Sequence, residues 1–278
     1  MDKQEIRDIF YEIFNSKDNN LAHIKSENID LPLFEEPLLG FGAADDPKWD
    51  EYKLPEAIGE EWMYPAEWLE GAKTVISVFF PFSGEIRSRA RTCPEETCEA
   101  WNAGLAAANG YFNKEVITAL IEALAEKGIK AVAPSFDPRM KTVNHPVISG
   151  GAEDLHFVPT WSERHAAFVC GLGTFGIHRH LITEKGCAGR FASIIIDEAV
   201  EPDERNYTEI YENCIHCGAC IRRCPVNAIS DEFLRNLKLC SGRGAYVREK
   251  YGSGSCGKCL TGIPCEHRNP RSKRGSGY

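Results

Sequence analysis

Apolar positions along the chain change period several times, and each change marks an element. Ile6, Ile9, Phe10, Ile13 and Phe14 recur at helical spacing within residues 2–15, which predicts an opening amphipathic helix. From Asn19 to Leu69 no period holds. The stretch is acidic and punctuated by Pro and Gly, so irregular, wrapping structure is expected, with Trp49, Trp62 and Trp68 still needing somewhere to pack. Lys73 to Phe82 is almost continuously apolar, β-branched or aromatic, the pattern of a strand buried on both faces. Helices are expected over 99–108 and 113–127, the second with Val116, Leu120, Ile121 and Leu124 on one side and Gly128 as its stop. A short strand follows over 129–134. TWSE at 160–163 has the form of a capping box, opening a helix with Trp161, His165 and Phe168 on one face, and RFASIIID at 190–197 reads as another buried strand.

Beyond Glu198 the pattern gives way to a segment dense in Cys, Gly and Arg. A domain boundary is expected between Glu201 and Tyr207, separating a cofactor or substrate domain, 1–205, from a cysteine-rich domain, 206–278. At 278 residues and 43% hydrophobic content, one substantial core and a small appended domain account for the length. The longest apolar runs fall far short of the ~20 residues that cross a bilayer, and the charged start MDKQEIRDIF is unlike a secretory signal, so a cytoplasmic protein with no membrane partner is expected. Net charge is −9, but residues 1–70 are strongly acidic while 241–278 are basic. The basic end is expected to be a solvated tail, with an acidic protein as the alternative partner and nucleic acid less favoured.

The 12 cysteines change the picture most. In a reducing compartment they suggest metal rather than disulfides. Cys214, Cys217, Cys220 and Cys224 are spaced CxxCxxCxxxCP, the run that wraps a [4Fe-4S] cluster with three thiolates and sends the fourth to a second cluster. Zinc fits less well, because its ligands usually come as two separated pairs. Cys240, Cys256, Cys259 and Cys265 complete the supply. By analogy with two-cluster ferredoxins, one cluster takes Cys214, Cys217, Cys220 and Cys265, and the other takes Cys224, Cys240, Cys256 and Cys259. Cys93, Cys98, Cys170 and Cys187 are expected to be small buried hydrophobes.

Gly171, Gly173 and Gly176 spell GxGxxG, the spacing of a dinucleotide-binding turn. That turn must follow a strand and open a helix, whereas here a predicted helix precedes it, so Gly171 reads as a helix stop and nucleotide binding is not expected. His145, His156, His165, His178 and His180 crowd the middle of the chain without a metal-ligand spacing.

In order and composition, AFVCGLGTFGIHRHLIT (167–183), FASIIID (191–197) and the cysteines from Cys214 to Cys265 resemble the epoxyqueuosine reductases and, more distantly, the corrinoid-dependent reductive dehalogenases. The resemblance implies an α+β fold with a nitroreductase-like N-terminal domain, a C-terminal two-cluster ferredoxin-like domain, and electrons passing from the clusters to a cofactor. That cofactor would be a corrinoid, with flavin as the alternative, bordered by Gly171, Leu172, Gly173, Thr174, Phe175 and Gly176. An external donor of the ferredoxin or flavodoxin type would supply the electrons. Asp154 and His156 are candidate proton donors, although the family's aspartate falls where this chain reads LHFVP (155–159). The sequence shows no counterpart of the helical repeats often used for tRNA recognition, so the tRNA substrate is not carried over. The other function class in view is an electron-transfer or reductive-activation partner without turnover of its own.

Overall fold

In the computed structural model, residues 1–93, 98–149, 151–232, 234–252 and 255–272 are described. The opening helix forms as α1 (Lys3–Asn15), capped reciprocally by Asp2 and Glu5, with Ile6, Phe10 and Phe14 buried. The acidic stretch is more regular than its sequence suggests. It holds the hairpin β1 (Leu21–Ile24) and β2 (Ile29–Pro32), the strand β3 (Leu38–Ala43), and the short helices α2 (Lys48–Glu51) and α3 (Pro65–Trp68). Next comes β4 (Thr74–Pro81), buried at every position as expected. Then α4 (Gly84–Thr92) and α5 (Glu99–Ala107) lead through a π-helical turn at 108–112 into α6 (Asn113–Glu126). The strand expected at 129–134 shrinks to β5 (Ala131–Val132).

A hairpin of β6 (Thr142–Ser149) and β7 (Ala152–Pro159) follows, and the pattern of apolar positions gave no sign of it. β6 is exposed along nearly its whole length, so no apolar alternation marks it. After α7 (Glu163–Val169) come β8 (Gly173–Phe175), β9 (Leu181–Thr183) and β10 (Gly189–Ile196). The cysteine-rich segment contributes α8 (Ala219–Arg222), β11 (Ile229–Ser230), β12 (Leu234–Arg235) and α9 (Leu237–Tyr251). No helix among the described residues is long and apolar enough to cross a membrane.

The main sheet is antiparallel throughout, in the order β3-β4-β10-β5, with Thr74–Pro81 paired along the full length of β10. Alternation along β4 and β10 gives the sheet two buried faces. On one, Ile76, Val78, Phe80, Ala192 and Ile194 join the core of α1, α5 and α6. On the other, Val75 and Ile195 meet an aromatic wall in which Trp62 stacks on Trp161 at 4.9 Å and on Trp49 at 6.0 Å. That wall answers where the tryptophans pack, and it overrides the expected capping box. Trp161 lies ahead of the helix with its Nε1 donating to Ser193 Oγ at 2.9 Å, and α7 begins at Glu163 after Ser162, which makes no side-chain cap. Thr160 Oγ1 instead accepts from the Lys141 amide at 3.0 Å.

The cysteine-rich segment is bolted to the start of β10. Glu266, only 1% exposed, pairs with Arg91 at 2.6 Å, and its carbonyl accepts from the Cys187 and Ala188 amides. Gly257 adopts φ +68° against the indole of Trp101, where any Cβ would lie 2.3 Å from a ring atom. These anchors place residues 256–266 beside the loop that follows α7.

Candidate iron–sulfur centre and adjoining cleft

The first cysteine set is built by a tight local turn. His216 (φ +48°) and Gly218 (φ +68°) take left-handed backbone, which brings Cys214 and Cys217 to the same cavity as Cys220 in the first turn of α8. Cys265, from the distant anchored segment, reaches the same cavity, which is lined mainly by apolar groups including Ile177, Ile182 and Ile263, with His178 beside them. Cys214, Cys220 and Cys265 are buried, and Cys217 is exposed. Burial, reinforced by the neighbouring thiols Cys259, Cys265, Cys214 and Cys217, pushes the Cys220 thiol up to about 12.

Cys187 is more than the small buried hydrophobe its sequence context suggests. It is buried, as expected, but it sits at the edge of this cavity, its Sγ 3.9 Å from Cys265 Sγ, while His178 Nε2 lies 3.6 Å from the same sulfur. His178, Cys187 and Cys265 thus place three ligand atoms within 4.8 Å of one another. The other spare cysteines hold structural positions. Cys98 caps α5 through the Trp101 amide, Cys170 Sγ donates to the Val75 carbonyl at 3.2 Å, and the Cys93 carbonyl accepts from Lys258.

The second set also converges. Burial pushes Cys259 up to about 12; Arg235 opposes the shift, and Cys240, Cys256 and Cys224 add to it. Arg235 Nη2 donates to Cys240 Sγ at 2.7 Å, and the Ala228 amide donates to Cys224 Sγ at 3.1 Å. Cys240 rides the first turns of α9, whose start is held by two caps. Asn236 accepts from the Leu239 amide, and Asp154 Oδ1 accepts from the amides of Leu237 and Lys238.

This arrangement gives Asp154, a candidate proton donor, a structural job across the gap between β7 and α9. The other candidate, His156, directs Nε2 at the Ile58 carbonyl, 2.9 Å away. The six residues of the glycine loop form a packed connection. Gly171 ends α7 at φ +79°, and Leu172, Gly173, Thr174, Phe175 and Gly176 are all buried. A Cβ on Gly176 would lie 2.8 Å from the His178 ring, so that glycine makes room for the imidazole. Thr174 Oγ1 accepts from the Asn213 amide at 2.7 Å, which ties the loop to the residue before Cys214.

Beyond the loop, polar side chains from separate elements gather into one cluster, which the sequence did not show because they lie far apart along the chain. Arg164 stands on α7, Arg179 and His180 follow the loop, Arg190 starts β10 and Arg235 ends β12. All are half-buried yet surrounded by protein. Burial, then Arg235, Arg190 and Arg179, lowers Arg164 to about 10, and burial with Arg164 and Arg235 drives His180 well below the usual imidazole range. Arg235 Nη1 meets His180 Nε2 at 3.0 Å, so one guanidinium spans the second cysteine set and this cluster. Glu163, expected as a capping residue, belongs to the same cluster. Burial raises it to about 7 against Ser135, Ser193 and Arg190, and its Oε2 has no hydrogen-bond partner. His165 is held neutral, down to about 3, by burial and by Arg164.

A cysteine-lined centre joined to an α+β sheet domain is the class that this geometry defines. Residues 207–230 match the family described as 4Fe-4S binding domain. Across nearly its whole length the chain shares the fold of epoxyqueuosine reductase. The structure of that enzyme with an epoxyqueuosine-modified tRNA-Tyr stem loop aligns with a TM-score of 0.54 at 18% identity, covering 95% of this chain and 65% of that one. The enzyme from Streptococcus thermophilus gives 0.55 at 17% identity, over 96% and 67% of the two chains. A reductive dehalogenase whose structure suggests a mechanism for B12-dependent dehalogenation gives 0.54 at 15% identity, covering 82% of this chain and 29% of that one. The resemblance read from the residues therefore holds at the level of fold, and the chain spans about two thirds of the reductases' length. No curated protein sequence matches it.

Proposed function

We propose that the chain is a two-cluster iron–sulfur reductase. Cys214, Cys217, Cys220 and Cys265 would hold one [4Fe-4S] cluster, Cys224, Cys240, Cys256 and Cys259 the other, and electrons would leave the second for an acceptor beside the arginine cluster. The observation that carries this reading is the convergence of cysteines from two distant stretches on one apolar cavity. The clusters supply one-electron transfer at potentials set by thiolate ligation and surroundings.

The chain's own residues give the route a direction. Cys217 is exposed, and Arg222 and Arg271 donate to the carbonyls of Cys217 and Cys214, so an acidic external donor of the ferredoxin or flavodoxin type would dock at the first cluster. Cys220 and Cys259 are electrostatic neighbours, which joins the two sets. From there Arg235, donating to Cys240 Sγ, would steady the added negative charge of a reduced second cluster and carry its field to the arginine cluster. Glu163 would hold a proton at Oε2 for delivery there, since it is half-protonated near neutral pH.

For the acceptor, a corrinoid fits the arginine cluster. The guanidinium groups of the half-buried Arg164, Arg179 and Arg190 would donate to the amide side chains that rim a corrin, and flavin is the alternative. A polar cluster equipped with a near-neutral acid favours an enzyme over a carrier that only hands electrons on. The test is anaerobic loading with iron, sulfide and cobalamin, followed by chemical reduction. Cobalt reduction tracking cluster oxidation in the visible spectrum is expected, and reduced clusters with untouched or unbound cobalamin would overturn the corrinoid assignment.

A further inference from the structure

The arginines of residues 1–205 divide sharply by partner. Arg7, Arg87, Arg89, Arg91, Arg139 and Arg205 each meet a carboxylate. Arg164, Arg179 and Arg190 have no carboxylate oxygen within 4.0 Å among the described residues, although the protein is acidic overall. These three neighbour one another in the cluster beside α7 and the start of β10. Arg164 spends one Nη on the Arg179 carbonyl, and the Arg190 guanidinium makes no hydrogen bond among the described residues, with its Nε buried. Recessed cations without a counter-charge are costly to hold together, and here they raise the potential on one another.

The local anions do not balance them. Arg235 donates to Cys240 Sγ, and Glu163, the carboxylate that acts on Arg190, is half-neutralised near pH 7 by its own burial. Arg164 and Arg179 remain unmatched. Arginine's planar fork is suited to bidentate contact with carboxylate or phosphate oxygens, and guanidinium groups from different elements can close on one such group from several sides.

We propose that this cluster is an oxyanion site, which binds the phosphate or carboxylate group of a small molecule through Arg164, Arg179 and Arg190. The site deepens the reductase reading by naming the class of ligand, but it rests on that reading only for the ligand's later fate. Nucleic-acid phosphates are disfavoured as occupants because Arg164, Arg179 and Arg190 are each half-buried rather than spread over an exposed face. Two sources share the chemistry, namely an anionic substrate and the phosphodiester of a bound cobalamin.

The test uses the cluster-loaded chain prepared without oxygen, with cluster absorbance confirming that every variant keeps its iron. Inorganic phosphate and acetate are titrated separately and followed by calorimetry. Saturable binding of at least one probe is expected, weakened at least about tenfold in Arg190→Gln, partly retained in Arg164→Lys, and unchanged in Arg139→Gln, whose guanidinium is paired with Asp137 outside the arginine cluster. Displacement of the probe by saturating cobalamin would assign the site to the cofactor's phosphodiester, and simultaneous binding would assign it to substrate; either outcome supports an oxyanion site. Failure of both probes to bind, binding that survives Arg190→Gln undiminished, or variant-sensitive binding shown only by a stem-loop RNA would overturn it. Because the readout is binding by intact, cluster-loaded protein, a negative result leaves the electron-transfer reading to its own experiment.

Discussion

Cys265 and Cys187 stand 3.9 Å apart at the edge of one cavity, and geometry separates their roles. Cys265 lines the space that Cys214, Cys217 and Cys220 share, whereas Cys187 does not. Cys265→Ala is therefore expected to lose roughly half of the bound iron, while Cys187→Ala keeps nearly all of it, as read by iron and sulfide analysis. Glu163 offers a second test at this scale. Its folded-state pKa of about 7 lies above the usual value of 4.5, so the folded chain holds a proton that the unfolded chain releases earlier. Stability should then fall as pH rises from about 4.5 to 7, and Glu163→Gln should flatten that decline in melting curves taken between pH 5 and 8. With Glu163 as the proton donor, the same variant is expected to lose most activity at every pH, and the residual rate no longer declines above pH 7. His165 acts in the opposite sense, since its imidazole is held neutral and its contribution is lost as pH falls from 6.5 toward 3.

The caps of α9 turn a candidate site residue into a prediction about an element. Asp154 accepts from the amides of Leu237 and Lys238, and Asn236 accepts from Leu239, so the first turn that leads to Cys240 is fixed from two sides. Asp154→Ala should cost about 1–2 kcal/mol in denaturant unfolding and loosen the second cluster, without a change in the pH profile of activity. Elements with strong local signals were legible in advance. The apolar spacing of Ile6, Phe10 and Phe14 announced α1, and the unbroken runs around Val75 and Ile194 announced β4 and β10. The hairpin of β6 and β7 was not, because its exposed residues carry no alternation to read. TWSE misled for a different reason. The stack of Trp161 on Trp62 pulls that segment into the aromatic wall, and tertiary packing outweighs a local cap. Trp62→Ala should cost about 3–5 kcal/mol, measurable by chemical denaturation.

For the whole molecule, the candidate site was legible in proportion to how local it is. Cys214, Cys217 and Cys220 lie within seven positions and declare their chemistry by spacing alone. The arginine cluster could not be read that way, because Arg164, Arg190 and Arg235 meet only after α7, β10 and β12 have packed. The same assembly explains why the cysteine-rich segment and the sheet domain are expected to respond differently to metal removal. The sheet has its own aromatic cores on both faces, while residues 206–272 contribute few fully buried large side chains and lean on Glu266, Gly257 and the cysteine contacts. Anaerobic chelation should expose the amides of 206–272 to hydrogen exchange while β4 and β10 stay protected.

Iron and acid-labile sulfide counted per chain in oxygen-free protein test the central claim most directly. Two clusters predict about eight of each. Zinc in place of iron, or cysteines paired as disulfides with no labile sulfide, would contradict it.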